Sequence, residues 1–187
     1  SEFASDFADA AGYGWHVPAA TFDWAKLIAA KNKEIDRLEG IYRGLLKNAN
    51  VTLFEGRAKI VDPHTVEVLG KRHTAATILV ATGAWPVLPR IPGVEHAITS
   101  NEALDLPALP KSIVIVGGAY IACEFAGIFN GLGAQVAMVI RGDKILRGFD
   151  HDIRETLTEE MTRRGITIRD HTEIETIEKT GHHLAFT

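Results

Sequence analysis

A glycine pair between two apolar runs constrains the fold more than any other stretch of the sequence. The apolar run 113–116 leads directly into Gly117 and Gly118, a helix-compatible segment follows to Gly133, and a second apolar run covers 135–140. Short apolar runs bounded by glycine are typical of strands buried on both faces. The order strand, tight turn, helix, strand predicts a parallel βαβ unit with a right-handed crossover.

The glycine turn has most of a dinucleotide-binding fingerprint of the form G-x-G-x-x-G/A. Gly117 holds the first position and Ala122 the third, but Ala119 stands where the second glycine is usual. A helix N-terminus offers unpaired N–H groups and a partial positive charge to a pyrophosphate, and glycine lets the backbone approach it closely. Because of Ala119, a turn without any ligand explains these residues alone equally well.

Two arginines favour the interpretation with a ligand. Arg141 follows the second apolar run and Arg147 lies a few positions further on, about twenty residues after the turn, where the fingerprint usually places an acid. A carboxylate there binds the ribose hydroxyls of NAD, whereas guanidinium groups match the oxygens of a 2′-phosphate. The alternative is a pair of ordinary surface arginines, but their spacing from the turn favours an NADP site.

Residues 1–88 are predicted to form a first domain. It begins with a helix over 1–10, and a longer helix follows from a cap at Thr21 or Asp23 to about Asn48. Residues 51–54, 57–61 and 65–69 alternate as strands of a small antiparallel meander, and 77–80 reads as a strand buried on both faces. The long helix is expected to bury one apolar face, made of Ile28, Ile35, Leu38, Tyr42 and Leu45.

Residues 89–187 are predicted to form a second domain. Five prolines between positions 86 and 110 mark the boundary as a linker, with a short helix at 100–104. A helix capped by Asp150 runs through Arg164, a third strand covers 166–168, and a hairpin of alternating residues ends the chain. The fold class is therefore α/β, with a parallel sheet plus an antiparallel meander.

Composition and charge exclude several classes of function. The net charge of −4 argues against a nucleic-acid surface, and no apolar run is long enough to span a membrane. The single cysteine, Cys123, allows no internal disulfide, reads as a small buried hydrophobe and fits a reducing compartment. The histidines show no ligand spacing, so no metal site is predicted. The first and last residues look like the middle of a helix and of a strand, and we expect a piece of a longer protein.

The motifs taken together resemble the FAD-dependent pyridine-nucleotide disulfide reductases, and within them the members that reduce glutathione disulfide. The resemblance implies Rossmann-like FAD- and NAD(P)-binding domains in three layers. The matching segments occur in the family's order along nearly the whole chain, at 11–15, 22–24, 40–42, 78–83, 91–93, 106–110, 118–127 and 147–150.

This resemblance implies an NADPH site around the glycine turn. Tyr120 matches a tyrosine that covers the flavin and swings aside for nicotinamide, and Glu124 matches a glutamate beside both rings. Arg141 and Arg147 match the pair that grips the 2′-phosphate. The remaining positions expected to contact NADPH are Gly117, Gly118, Ala119 and Ile121.

The resemblance also implies part of an FAD site and part of a substrate site. Arg57 and Ala58 match the segment at the adenine end of FAD, and Thr82 and Gly83 match a strand end that packs close to it. Tyr42 matches a tyrosine whose hydroxyl reaches glutathione disulfide, with Ile41 beside it. Trypanothione-reducing members typically carry a small polar residue in place of Ile41. A trypanothione reductase, or another NADPH-dependent disulfide reductase, is therefore the second hypothesis.

The implied protein is a cytoplasmic homodimer that passes a hydride from NADPH to FAD and then electrons to a redox disulfide and to glutathione disulfide. Neither nucleic acid nor membrane is expected as a partner. The redox cysteines and the family's His–Glu pair are not found in these 187 residues, so the chain alone is predicted to be inactive. An isolated nucleotide-binding module without catalysis is the alternative from another class.

Overall fold

The structure is a computed structural model that describes residues 2–181 and 183–187. Ser1, where the predicted first helix begins, lies outside the described residues. The chain divides into two compact units: one combines the residues up to Ile28 with Val87–Thr187, and the other is Ala29–Pro86.

Five α-helices, eight strands and two short 3-10 helices (Ala10–Tyr13 and Val94–His96) make up the regular structure of the described residues. The helices are α1 (Glu2–Asp9), α2 (Trp24–Asn48), α3 (Ser100–Ala103), α4 (Tyr120–Gly131) and α5 (His151–Arg163). The strands are β1 (Lys59–Asp62), β2 (Thr65–Val68), β3 (Lys71–Thr74), β4 (Ser112–Val116), β5 (Gln135–Val139), β6 (Thr167–Arg169), β7 (Ile177–Thr180) and β8 (His183–Phe186). No helix among the described residues combines the length and apolar character needed to cross a bilayer.

The larger unit is built on a parallel three-stranded sheet in the order β4-β5-β6. Strands β4 and β5 pair from Ser112 opposite Gln135 to Val116 opposite Val139. With α4 and α5 as the two connections, this confirms the predicted βαβαβ order, and β7 with β8 forms the predicted hairpin. The core lies where these elements meet, and Phe129, Met138 and Ile145 are completely buried.

Helix α2 begins where its cap was predicted. The backbone N–H of Lys26 donates to Asp23 Oδ1 at 3.0 Å. Trp24 is buried, its ring stacks on Phe129 with centroids 5.9 Å apart, and its indole N–H donates to Leu106 O at 2.7 Å. These contacts fix the first turn of α2 to the core of the larger unit.

The predicted buried face of α2 is wrong beyond that first turn. Ile35, Tyr42 and Leu45 are all exposed. An amphipathic pattern shows which face a helix can bury, but burial also needs an opposing surface. No other element of the described residues covers this face.

The smaller unit contains the predicted antiparallel meander with altered strands. Its order is β1-β2-β3, and the third strand, β3, was missed because its charged residues lack an apolar alternation. The strands predicted at 51–54 and 77–80 are wrong, and Leu79 is 88% exposed. A strand needs a neighbour for its backbone N–H and C=O groups. Neither segment has a neighbouring strand among the described residues.

Candidate functional site

The glycine turn lies at the carboxyl end of β4. Gly117 has a φ of 123°, which is unfavourable for residues with a side chain, and its N–H donates to Val139 O at 2.9 Å. A Cβ built on Gly117 would meet nothing within 4 Å, so the backbone at this point faces open space. Glycine is therefore required here by conformation, and a ligand can approach the turn from its open side.

Gly118 is required for a different reason, namely close packing. A Cβ there would lie 2.9 Å from Ile140 Cγ2 and 3.3 Å from Ile145 Cα. Its carbonyl also accepts a hydrogen bond from the N–H of Leu146 at 2.6 Å. Gly118 thus joins the turn to the loop after β5.

Ala119, the departure from the fingerprint, is the N-cap of α4. Its φ of −77° and ψ of 172° are open to any residue, so the backbone does not demand glycine at this position. No side chain caps the helix start, which leaves its first N–H groups available to an anion. Tyr120 and Ile121 follow on the first turn, and both are exposed.

Glu124 lies four residues after Tyr120 and is exposed as well. Residues four apart on an α-helix share a face. The structure therefore places Tyr120 and Glu124 on the same face of α4, one turn apart.

The two arginines lie on the loop that leaves β5. The Arg141 side chain is 81% exposed, and its Nε lies 3.7 Å from Glu173 Oε1. Arg147 is exposed too, and the ion pairs of the described residues do not include it. Because the intervening Leu146 bonds to Gly118, the arginine loop folds back against the glycine turn.

Sequence reasoning missed Arg154 on α5. Its guanidinium donates to Ile145 O at 2.9 Å and to Asp143 Oδ1 at 3.1 Å. This hydrogen bond is the main cause that lowers the pKa of the Asp143 carboxyl. Nothing in the sequence pattern distinguishes Arg154 from an arginine on the solvent face of the helix.

The residues predicted to contact FAD and substrate all lie in the smaller unit. Arg57, Ala58, Thr82 and Gly83 are exposed and outside regular structure. None of the hydrogen bonds between described residues joins the first pair to the second. Ile41 and Tyr42, the substrate positions, are exposed on α2.

The larger unit does fit a bound dinucleotide phosphate. The open backbone at Gly117 and the uncapped start of α4 suit a pyrophosphate. The exposed guanidinium groups of Arg141 and Arg147 suit a further phosphate. Among the described residues, no three His, Cys, Asp or Glu side chains come together as a metal site would need.

A parallel βαβαβ sheet with a glycine turn at its carboxyl edge defines the chain as a dinucleotide-binding protein of the α/β class. The model of the pyridine nucleotide-disulphide oxidoreductase family matches residues 4–187. The chain belongs to this family, and membership implies NADPH and FAD as cofactors.

The chain is similar to several curated proteins named glutathione reductase. It is 50% identical over 179 residues to the one from Burkholderia cepacia, covering 96% of this chain and 40% of that protein. It is 50% identical over 168 residues to the one from Nostoc sp., covering 90% and 37%. It is 56% identical over 151 residues to the chloroplastic/mitochondrial enzyme of Pisum sativum, covering 80% and 27%. The chain thus spans well under half the length of these relatives.

Solved structures with a similar fold include the HOCl-induced flavoprotein disulfide reductase RclA from Escherichia coli. The superposition has a TM-score of 0.75 at 26% identity and covers 88% of this chain and 41% of that one. The Cu(II) complex of the same protein gives a TM-score of 0.76 at 25% identity, with 88% and 41% covered. These likenesses agree with the family assignment.

Proposed function

We propose that this chain is the NADPH-binding part, and a portion of the FAD-binding part, of a glutathione-disulfide reductase. When bound, NADPH would supply the hydride for reducing glutathione disulfide by way of FAD and a redox disulfide. The boundary between the two parts lies near residue 88. The relatives named glutathione reductase, at 50% identity or more, support this proposal over a trypanothione reductase or a module without catalysis.

The observation that carries the proposal is the pair of exposed arginines beside the glycine turn. Arg141 and Arg147 lie on the loop that Leu146 ties to Gly118, so both cations are held near the end of the sheet where the turn lies. A guanidinium donates two parallel hydrogen bonds to phosphate oxygens and remains charged at any physiological pH. Glu173 is the acid closest to Arg141 in this region, and at 3.7 Å it is only loosely paired. A 2′-phosphate can displace it.

The other residues of α4 have positioning roles in this proposal. The first N–H groups of the helix and the backbone of Gly117, Gly118 and Ala119 bind the pyrophosphate. Ile121 contributes to the wall of the site. Tyr120 covers the place of the nicotinamide and excludes water until the cofactor binds, and Glu124 orients the ring from the next turn of the helix.

The smaller unit carries the FAD and substrate roles in this proposal. Arg57 and Ala58 contact the adenine end of FAD, and Thr82 and Gly83 pack beside the cofactor. The Tyr42 hydroxyl donates a hydrogen bond to glutathione disulfide, and Ile41 lies beside it. The complete protein is proposed to be a cytoplasmic homodimer that binds neither nucleic acid nor membrane.

The test of the cofactor site compares NADPH with NADH in the protein purified at its natural length. We expect NADPH-driven reduction of glutathione disulfide and a clear preference for NADPH over NADH. Replacing both arginines (R141Q with R147Q) should weaken NADPH binding by at least about 100-fold, because two charge-assisted hydrogen bonds at about 1.5–3 kcal/mol each are lost, and leave NADH binding nearly unchanged.

The matched control is R163Q with R164Q, which removes two positive charges from the end of α5, where Arg163 and Arg164 both pair with Glu160. It should leave both affinities unchanged. Equal affinities for NADPH and NADH in the unaltered protein would contradict the roles of Arg141 and Arg147. The 187-residue chain by itself is predicted to show no NADPH-driven disulfide reduction.

A further inference from the structure

A largely buried guanidinium on α5 holds the loop that carries the two arginines. The Arg154 side chain is only 18% exposed although it is charged. Its Nε donates to Ile145 O at 2.9 Å, and its Nη2 donates to Asp143 Oδ1 at 3.1 Å and to Lys144 O at 3.3 Å. One side chain thus contacts three consecutive residues of the loop.

These contacts use the shape of arginine as well as its charge. Carbonyl groups in an irregular loop have no strand or helix partner, so a side chain or water must satisfy them. The planar fork of a guanidinium presents several N–H groups in fixed directions and can reach two carbonyls and a carboxylate at once. A lysine ammonium carries the same charge as a point and cannot reproduce this set. A further ion pair between the loop and α5 joins Lys144 Nζ to Glu155 Oε1 at 2.7 Å.

The held segment leads directly to the proposed 2′-phosphate site. Ile145, whose carbonyl accepts from Arg154, is completely buried. The next residue, Leu146, donates its N–H to Gly118 O, and the one after it is Arg147. Leu146 also has a φ of 55°, a conformation that a residue with a side chain keeps only when its surroundings hold it there. Arg154 on one side and Gly118 on the other therefore fix the backbone from which Arg147 extends.

We propose that Arg154 is a positioning residue for cofactor selectivity, which preorganises the loop 141–147 so that Arg147 and Arg141 meet a 2′-phosphate without first being ordered. This inference rests on the proposed NADPH function. Preorganisation raises affinity because binding no longer has to order the loop. The hydrogen bonds of the Arg154 side chain to described residues all go to the loop, so its loss affects a ligand that has a 2′-phosphate more than one that lacks it.

The test measures two small probes by titration calorimetry with the protein at its natural length. The probe 2′,5′-ADP carries the 2′-phosphate, and 5′-AMP lacks it. We expect R154A and R154K to lower the affinity for 2′,5′-ADP relative to that for 5′-AMP by at least about tenfold. This change corresponds to a partial loss of the hydrogen bonds between the arginines and the 2′-phosphate. R163A, at the other end of the same helix, should change the ratio by no more than about twofold. R154K keeps the charge and the stem and serves as the test variant if R154A does not fold.

A second readout does not involve any ligand. Amide hydrogen exchange in the cofactor-free protein should become faster in peptides covering 142–148 in R154K and stay unchanged there in R163A. An unaltered ratio in R154K overturns the inference, whether or not the exchange rate changes, and so does unaltered exchange. If the wild-type protein binds both probes equally, the proposed NADPH function is wrong, whereas a wild-type preference that survives in R154K refutes only the role of Arg154.

Discussion

Replacement of Gly118 by alanine tests the contact that joins the glycine turn to the arginine loop. The new methyl would lie 2.9 Å from Ile140 Cγ2 and 3.3 Å from Ile145 Cα. Neither neighbour moves easily, because Ile140 is buried and β-branched and the Ile145 atom belongs to the backbone. Overpacking of this kind costs about 1–3 kcal/mol of the free energy of unfolding. We expect G118A to lose that amount and to bind NADPH more weakly, since the loop must shift.

The assay is urea unfolding. If the slope of the transition is the same in all variants, a change in its midpoint reports a change in the free energy of unfolding. The matched control is Gly127→Ala on α4, the helix that follows the turn, where a Cβ would meet nothing within 4 Å. That change should stabilise the protein by up to about 1 kcal/mol, because glycine is a poor helix former. A second control is the double variant G118A with I140A. It should be more stable than the sum of the two single changes predicts, by about 1 kcal/mol, because I140A removes the closest contact.

Two results would refute this reasoning. If G118A is as stable as the unaltered protein, the turn and the loop are not in close contact. If the two changes simply add, Ile140 is not the residue that opposes the new methyl.

Three further predictions concern single surface residues. Ala119→Gly should tighten NADPH binding or leave it unchanged in a direct titration, since the backbone there needs no glycine, and a clear weakening would show that the alanine belongs to the native fit. Glu173→Gln should tighten NADPH binding by about two- to fivefold and leave NADH unchanged, because it removes the loosely paired acid 3.7 Å from Arg141, and equal effects on both would contradict this. The pKa of Glu160 is lowered from 4.5 to about 2, chiefly by the hydrogen bond from Arg163, so its stabilising contribution is present above pH 4.5 and is lost as the pH falls toward 2. Denaturation midpoints of Glu160→Gln and the unaltered protein should therefore converge over that interval, and a constant difference would contradict the assignment.

The larger unit could be predicted closely from the sequence because its signals are local. The runs 113–116 and 136–140 are apolar throughout, and glycines lie close to both runs. Asp150 forms the cap that was predicted for α5, accepting from Asp152 N at 3.0 Å. Each of these features depends on a few neighbouring residues, and the structure confirms them.

The errors lie where the outcome depends on distant residues. Residues 77–80 have the composition of a buried strand, and Ile35 and Leu45 have the spacing of a buried face. Both patterns predict what a segment can bury but not whether another element covers it. Arg154 was missed for the opposite reason, because its burial comes from a loop that folds back onto α5 and leaves no periodic signal.

The tryptophans give the protein a built-in optical probe. Trp24 is buried against Phe129, whereas Trp15 and Trp85 are exposed. An indole in an apolar contact emits at shorter wavelength than one in water, so the three contributions are separable by colour and by quenching with a soluble ion. With phenylalanine in place of Trp15 and Trp85, the fluorescence of Trp24 alone would report the packing of α4. Any rearrangement of that helix when a nucleotide binds could then be followed in real time without a label.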